Sequence, residues 1–382
     1  MWILATVGSL VLILLVLVDG FEVIVQPRRV THRYRYVRLY YSSIWRLWRA
    51  VALRISAGRR RETFLSVFGP LSMLGLFITW VFGLIVGFGL LHWSLGTPVH
   101  ASEPRVTFST YLYLSGTTFF TLGYGDVTPT GAFGRALAVV ESGLGFGFLA
   151  VIISYLPVLF QAFSQREVSI SLLDARAGSP PSAAQVLLRL ARSGNMNTLD
   201  GFLAEWERWA AELLDSHLSF PVLSYYRSQH DNQSWLAALT SILDTCAFLI
   251  AEVRINNTYQ AQLTFAMARH AAVDLSLILK TPPRPDEHER LSAAQLQRLR
   301  ELLREAGLEL QEAGSGDAKL AELRSTYELF VNALAQRFLF PLPPFLPEGE
   351  VADNWQRSAW MKRVPGIGSL PPPENADDVH FD

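Results

Sequence analysis

The hexapeptide Thr121-Leu122-Gly123-Tyr124-Gly125-Asp126 lies between two apolar runs, Phe64–Trp93 and Gly134–Phe160. Each run is long enough to cross a bilayer. In hydrocarbon, irregular backbone is tolerated only where protein buries it or water lines it. A glycine-rich segment at that depth therefore has few folds open to it. Phe108–Phe120, just before it, is long enough for a helix that enters the membrane and stops inside. Leu95–Thr107 forms a mostly polar outer loop, and Pro129 and Gly131 turn the chain back.

A dehydrated cation needs oxygens to replace its lost water. Backbone carbonyls supply them when an extended strand points each one at a common axis. Left-handed backbone conformations allow this, and glycine enters them without steric cost. Gly123 and Gly125 alternate with Leu122 and Tyr124 as such a strand requires. In sequence and setting the segment resembles the selectivity filter of the potassium-channel pore family, whose usual core reads TVGYG. The resemblance covers about Phe64–Phe163. It implies an ion-coordinating filter of Thr121, Leu122, Gly123, Tyr124 and Gly125. The carbonyls of Thr121, Leu122, Gly123 and Tyr124 would hold potassium, the permeant species, and the Thr121 hydroxyl would add a lower ring. Asp126 would stand at the outer mouth and attract cations. One filter segment per chain implies a closed cyclic assembly, by resemblance a homotetramer. The sequence departs from the family at several points. Leu122 replaces the usual Val, Phe120 a second Thr, and Tyr113-Leu114 the usual Trp pair. Thr117 stands where some members carry a buried Glu.

Two residues of the inner span, 134–160, stand out. Gly145 lies where related pores often place a gating hinge; close packing through Gly143 and Gly147 is the other use of these glycines. Glu141 is an acid in an apolar helix, which costs roughly 2.5–3.5 kcal/mol at the membrane centre unless protein or water faces it. It is a candidate buried acid behind the filter, with Thr117 or Thr118 as expected partner.

A further apolar run, Met1–Val18, spans roughly 27 Å as a helix. It has neither the basic start nor the small-residue cleavage site of a signal peptide. It reads as an uncleaved transmembrane helix, domain 1–20. Residues 21–63 form a basic amphipathic linker. Arg28, Arg29, Arg33, Arg35, Arg38, Arg46, Arg49, Arg54, Arg59, Arg60 and Arg61 interleave there with Tyr34, Tyr36, Tyr40, Tyr41, Trp45 and Trp48. Between two spans this composition points to a membrane surface, with anionic headgroups as partners of residues 28–61 and no nucleic acid. Basic loops stay inside. The linker is then cytoplasmic, Met1 outside, and the protein multi-pass in the cell (plasma or inner) membrane.

The chain is 50% hydrophobic and 18% charged, with a formal net charge of -1. It therefore reads as part membrane and part soluble. The fold class is mainly α: a potassium-channel-like pore, 64–163, an extra N-terminal membrane helix, and a helical cytoplasmic domain, 164–340. The pore divides into an outer helix 64–93, a pore helix 108–120, the filter 121–126 and the inner helix 134–160. In the cytoplasmic domain Val168–Leu173 reads as a short extended segment. Helices are expected near Ala183–Ser193, Thr198–Ser216, Tyr259–Lys280 and Ser292–Ala306. Trp235, Leu239, Ile242, Cys246, Leu249 and Val253 mark one helix face, and Leu323, Tyr327, Phe330 and Leu334 another. A proline-rich tail occupies 341–382.

The sole cysteine, Cys246, permits no intrachain disulfide and reads as a small buried residue. No GxGxxG nucleotide site, EF-hand or voltage-sensor arginine ladder is present. His270 with Asp274, and His230 with Asp231, make no convincing metal set. No cofactor and no enzymatic activity are expected, because conduction is passive. The alternatives are a weakly selective monovalent cation channel and a membrane-tethered sensor or scaffold with a silent pore.

Overall fold

A computed structural model describes residues 2–25, 36–102, 105–194, 196–230, 232–254, 257–285, 289–312 and 314–348. Arg28, Arg29, Arg33, Tyr34 and Arg35 of the basic linker, Asp231, and the tail from residue 349 onward lie outside the described residues. The chain divides into two compact units, Met1–Gln161 and Ala162–Asp382.

The first unit opens with α1, Trp2–Ile24. It runs past Val18 because Asp19, which ends the apolar run, is itself buried. Its carboxylate accepts the indole N–H of Trp80 at 2.8 Å. The outer helix is α4, Phe68–Ser94, preceded by the short α3, Arg59–Ser66. The break falls at Val67, where Pro70 lacks the amide that would bond the Ser66 carbonyl. Along α4 the small residues admit α1 closely. A Cβ added at Gly87 would come within 2.7 Å of Ile13, and one at Gly83 within 3.0 Å of Val16. Trp2 packs on Trp93 with ring centroids 4.7 Å apart, and Thr6 Oγ1 donates to Ser94 Oγ at 3.0 Å.

Between these helices lies α2, Tyr36–Ala52. Its aromatic face packs on α3 and the start of α4. Trp48 stacks on Phe64 at 4.4 Å, Trp45 meets Phe68 edge-on at 4.8 Å, and Tyr40 donates to Ser72 O at 2.8 Å. Leu39, Leu47, Val51 and Arg46 remain exposed. An apolar strip beside arginines on a surface helix is the composition of an interfacial element.

After α4 come β1, Val99–Ala101, the pore helix α5, Phe108–Phe119, and β2, Val127–Pro129. The two strands pair antiparallel, with His100 opposite Thr128. The inner helix α6 runs from Ala132 to Ala177 and carries Pro157 within it. The centre of the unit is apolar. Ile13, Leu84, Phe88, Leu91 and the fully buried Phe119 bring α1, α4 and α5 together, with Leu137, Leu144 and Phe148 of α6 packed against them.

The second unit is helical. Val168–Leu173, expected as extended, is instead part of α6. Its V-S-I-S alternation suggests a strand, but Ile170, Leu173 and Ala177 are buried at helical spacing. The following helices are α7, Ala183–Ser193, α8, Leu199–Ser219, α9, Trp235–Glu252, α10, Tyr259–Ile278, and α11, Ala293–Glu305. Ser182, Ser234 and Ser292 cap α7, α9 and α11 through side-chain oxygens. Leu323–Leu334 is not one helix. It divides into α12, Asp317–Ser325, and α13, Glu328–Phe338, with buried Tyr327 between them.

Helix α9 is apolar enough to cross a membrane, yet 94% of its apolar window is buried within the protein. It is the central helix of this unit rather than a helix with one buried face. Cys246 on it is fully buried, and burial pushes its thiol pKa up. The head of the proline-rich segment packs on the same core. Phe345 is fully buried, and its carbonyl accepts the Ala184 amide at 3.2 Å.

Arg166 is held at the start of this unit. It donates to Leu223 O at 3.0 Å, Tyr226 O at 3.1 Å and Glu167 Oε1 at 2.9 Å. Next to it His217 donates from Nδ1 to Leu213 O at 2.8 Å, which leaves Nε2 to accept from Arg166 at 3.5 Å. Burial, reinforced by the Arg166 charge, pushes the His217 pKa down to about 3. The unfolded chain therefore takes up a proton near the usual value of about 6.5 while the folded chain does not. This stabilising contribution is complete above that pH and is lost as pH falls toward 3. Between pH 6.5 and 4.5 it is expected to remove about 2 kcal/mol of stability. His217→Gln should remove that component from urea-midpoint measurements across the same range.

Candidate functional site

The re-entrant segment is positioned by its helix, and the helix by α4. Thr107 precedes α5 in extended backbone, and its amide donates to Thr110 Oγ1 at 3.1 Å. Tyr111 donates to Thr97 O at 2.8 Å, and Ser115 to Ile85 O at 2.8 Å. A Cβ on Gly89 would stand 3.2 Å from Leu112 Cα, so α4 and α5 meet backbone to backbone.

The helix ends in a defined exit. The amides of Phe120, Thr121 and Leu122 donate back to Gly116 O, Thr118 O and Thr117 O at 3.1, 3.0 and 2.8 Å. The backbone then takes positive φ at alternate residues: Thr121 at 56°, Gly123 at 57° and Gly125 at 79°. Glycine accepts this freely, whereas a β-branched Thr does so only where its surroundings enforce it. The left-handed position at Thr121 was not foreseen from the glycine pattern.

Residues 120–126 are all exposed within one chain, with Leu122 at 53% and Tyr124 at 69%. At the end of the segment Tyr113 donates its hydroxyl to Asp126 Oδ2 at 2.9 Å. The position where the family usually places a Trp thus supplies a hydrogen-bond donor. Both groups are exposed, so water competes for the bond and its contribution is small. Tyr113→Phe is expected to raise amide exchange at Gly125 and Asp126 by no more than a few-fold, read by hydrogen–deuterium exchange.

Behind the helix, Glu141 is fully buried. Its partners are not Thr117 or Thr118. Thr117 Oγ1 is engaged with Tyr113 O at 3.1 Å and Leu114 O at 3.0 Å within its own helix. Glu141 Oε1 instead meets the Ser115 hydroxyl, and Oε2 faces His92 Nε2 at 3.6 Å. His92 was missed in the sequence. The signal was present, since it is an ionisable residue in the apolar run facing the one that carries Glu141.

Gly145 is not next to open space. A methyl there would overlap the Phe119 carbonyl oxygen and lie 3.0 Å from the Phe119 ring. Gly143 and Gly147 have no such neighbour among the described residues. The absent side chain at Gly145 lets α6 touch the end of α5, next to residues 121–126.

Comparison with known proteins agrees with this architecture. A family model described as "Ion channel" matches residues 72–162, which run from early α4 through the re-entrant loop into α6. The uncharacterized membrane protein YdjJ of Bacillus subtilis (strain 168) is 24% identical over 242 residues, 58% of this chain and 67% of that protein. Protein LctB of Bacillus caldotenax is 32% identical over 29% of this chain and 82% of its own length. Protein LctB of Geobacillus stearothermophilus is 34% identical over 22% of this chain and 69% of its own length. No solved structure matches the chain. With a helix–loop–helix pore unit in the matched region, and relatives covered over most of their length, this membrane protein belongs to the two-helix-pore ion-channel family.

Proposed function

We propose that the protein is a potassium-selective channel in which four copies of residues 121–125 surround one conduction path. The carrying observation is the alternation of positive φ at Thr121, Gly123 and Gly125 within a TLGYGD segment. Alternation of this kind turns successive carbonyls toward one side of a strand. The carbonyls of Thr121, Leu122, Gly123 and Tyr124 then replace the hydration shell of a potassium ion. The Thr121 hydroxyl closes the lower end, and Asp126 raises cation concentration at the mouth. Exposed Leu122, Tyr124 and Phe146 support the tetramer, because apolar and aromatic groups around a water-filled path need neighbouring copies to cover them.

The arginines of residues 28–61 face anionic headgroups on the cytoplasmic side, which puts the N-terminus outside and residues 164–340 in the cytoplasm. Leu122 and Phe120 depart from the usual filter, and this favours a second reading, a weakly selective monovalent cation channel. Purified protein in liposomes tests both. Potassium flux with a reversal potential that follows the potassium gradient supports the first reading; one that follows potassium and sodium equally supports the second. Absence of flux both with and without residues 180–382 would favour a silent pore on a scaffold.

A further inference from the structure

His92 on α4, Ser115 on α5 and Glu141 on α6 are each fully buried and form one polar cluster among three helices. Its proton count does not close in a single way. The Ser115 hydroxyl has one hydrogen and two flanking acceptors, Ile85 O at 2.8 Å and Glu141 Oε1. A carbonyl only accepts. If Ser115 donates to Ile85, the short contact to Glu141 requires a proton on Oε1. If Glu141 is ionised, Ser115 must turn its hydrogen to the carboxylate and leave Ile85. On the far side, Glu141 Oε2 and His92 Nε2 face each other at 3.6 Å, and neither atom has a hydrogen-bond partner among the described residues. The other His92 nitrogen, Nδ1, lies 3.2 Å from Thr97 Oγ1.

We infer that His92, Glu141 and Ser115 form a buried proton-binding site that positions the pore helix. One proton taken from bulk water raises the charge of the cluster by one. With the proton on Glu141, the chain Glu141–Ser115–Ile85 is complete and α5 is tied to α4 and α6 together. Without it, the ionised Glu141 draws Ser115 toward α6 and needs the Nε2 hydrogen of His92, which closes the 3.6 Å gap. The two states anchor α5 differently, and α5 carries the filter. His92 acts through Glu141 and is a positioning residue.

Other groups facing the cluster are few. From α5, Tyr111 donates to Thr97 O at 2.8 Å. From α1, Ile13, Val16 and Leu17 pack on the neighbouring apolar cluster and do not titrate, and its buried acid Asp19 is engaged with Trp80 at 2.8 Å. Asp126 and Tyr113 are paired at the exposed outer mouth.

The proton site stands on this geometry alone, and its effect on flux rests on the proposed channel function. The test uses the full chain in lipid vesicles, with infrared difference spectra and potassium flux measured from pH 4 to 9. A protonated carboxyl gives a carbonyl-stretch band that a carboxylate lacks. Expected is a wild-type band that titrates, disappears in Glu141→Gln, and shifts its midpoint by at least about one pH unit in His92→Gln, a tenfold change in proton affinity. Glutamine at 92 keeps an N–H donor but does not titrate. Ser115→Ala should keep the infrared titration and flatten the pH dependence of flux. A band that does not titrate, or that survives in Glu141→Gln, overturns the site. A titrating band with flux of unchanged pH profile in Glu141→Gln and Ser115→Ala overturns the positioning role. If the wild type passes no potassium, the channel reading fails, while the infrared titration still decides the proton site.

Discussion

Gly123→Ala is expected to lower potassium flux into liposomes by roughly three orders of magnitude while the protein still folds and assembles. Gly123 has φ 57°. A Cβ in that left-handed conformation costs roughly 1–2 kcal/mol. In the proposed tetramer four copies share one path, so the cost there is about 4 kcal/mol or more, and each 1.4 kcal/mol is about tenfold. The backbone either keeps its carbonyl orientation against that strain or rotates and takes the oxygen off the path. Leu122→Val is the control. It keeps the carbonyl, and in a single chain the Leu122 side chain is half exposed. Valine should therefore retain flux within a few-fold. Elution volume checks assembly, and a fluorescent potassium indicator reads the flux. Equal flux from Gly123→Ala and wild type would remove the backbone of this segment from the conduction path.

The pore was legible because its signals are local. Apolar length gives the spans, and a stretch of glycines, Tyr and Asp between them gives the loop. The pore helix begins at Phe108, as its length and the polar Thr107 before it suggest. What was illegible depends on side chains distant in sequence. Glu141 announced a buried acid, but Ser115 and His92 become its partners only when three helices meet. The role of Gly145 follows from where Phe119 ends, which no periodicity encodes. In the second unit, periodicity found most helices to within a few residues. It failed at Val168–Leu173, where an alternating pattern lies on a helix continued from the membrane segment. It failed again at Tyr327, where a residue expected within a helix interrupts it. The Tyr327 hydroxyl reaches Asp244 at 2.5 Å, and that tertiary bond is invisible to local spacing.

That bond belongs to the polar centre of the second unit, where the other large effect is expected. Asp244 is fully buried on α9. It pairs with Arg290, whose Nη1 lies 3.3 Å from Oδ1, and accepts from Tyr327. Arg290 also donates to Pro343 O, at 3.2 Å from Nε and 3.0 Å from Nη2. The cluster thus joins α9, the residue before Leu291, the break between α12 and α13, and the head of the proline-rich segment. Burial and the neighbouring Asp244 charge push the Tyr327 hydroxyl pKa well up, so it remains a donor. Asp244→Ala would leave a buried guanidinium with only Glu328, 3.7 Å from Nη1, as counter-charge, and a phenol without its acceptor. Breaking such a pair costs roughly 3–5 kcal/mol, a large share of the roughly 5–15 kcal/mol that holds a domain together. The urea midpoint, followed by tryptophan fluorescence, should fall by about 1–2 M. Asp244→Asn keeps the volume and an acceptor for Tyr327, and should lose less. Replacing both partners, Asp244→Leu with Arg290→Met, removes the unpaired charge and should recover much of the loss. That recovery would show that the loss comes from leaving a charge and a gap in the core and not from the absence of the ion pair itself, which the double variant does not restore. If the double variant were no more stable than Asp244→Ala, the orphaned charge would not be the dominant cost, and the hydrogen bonds that join Asp244, Arg290, Tyr327 and Pro343 would carry it instead.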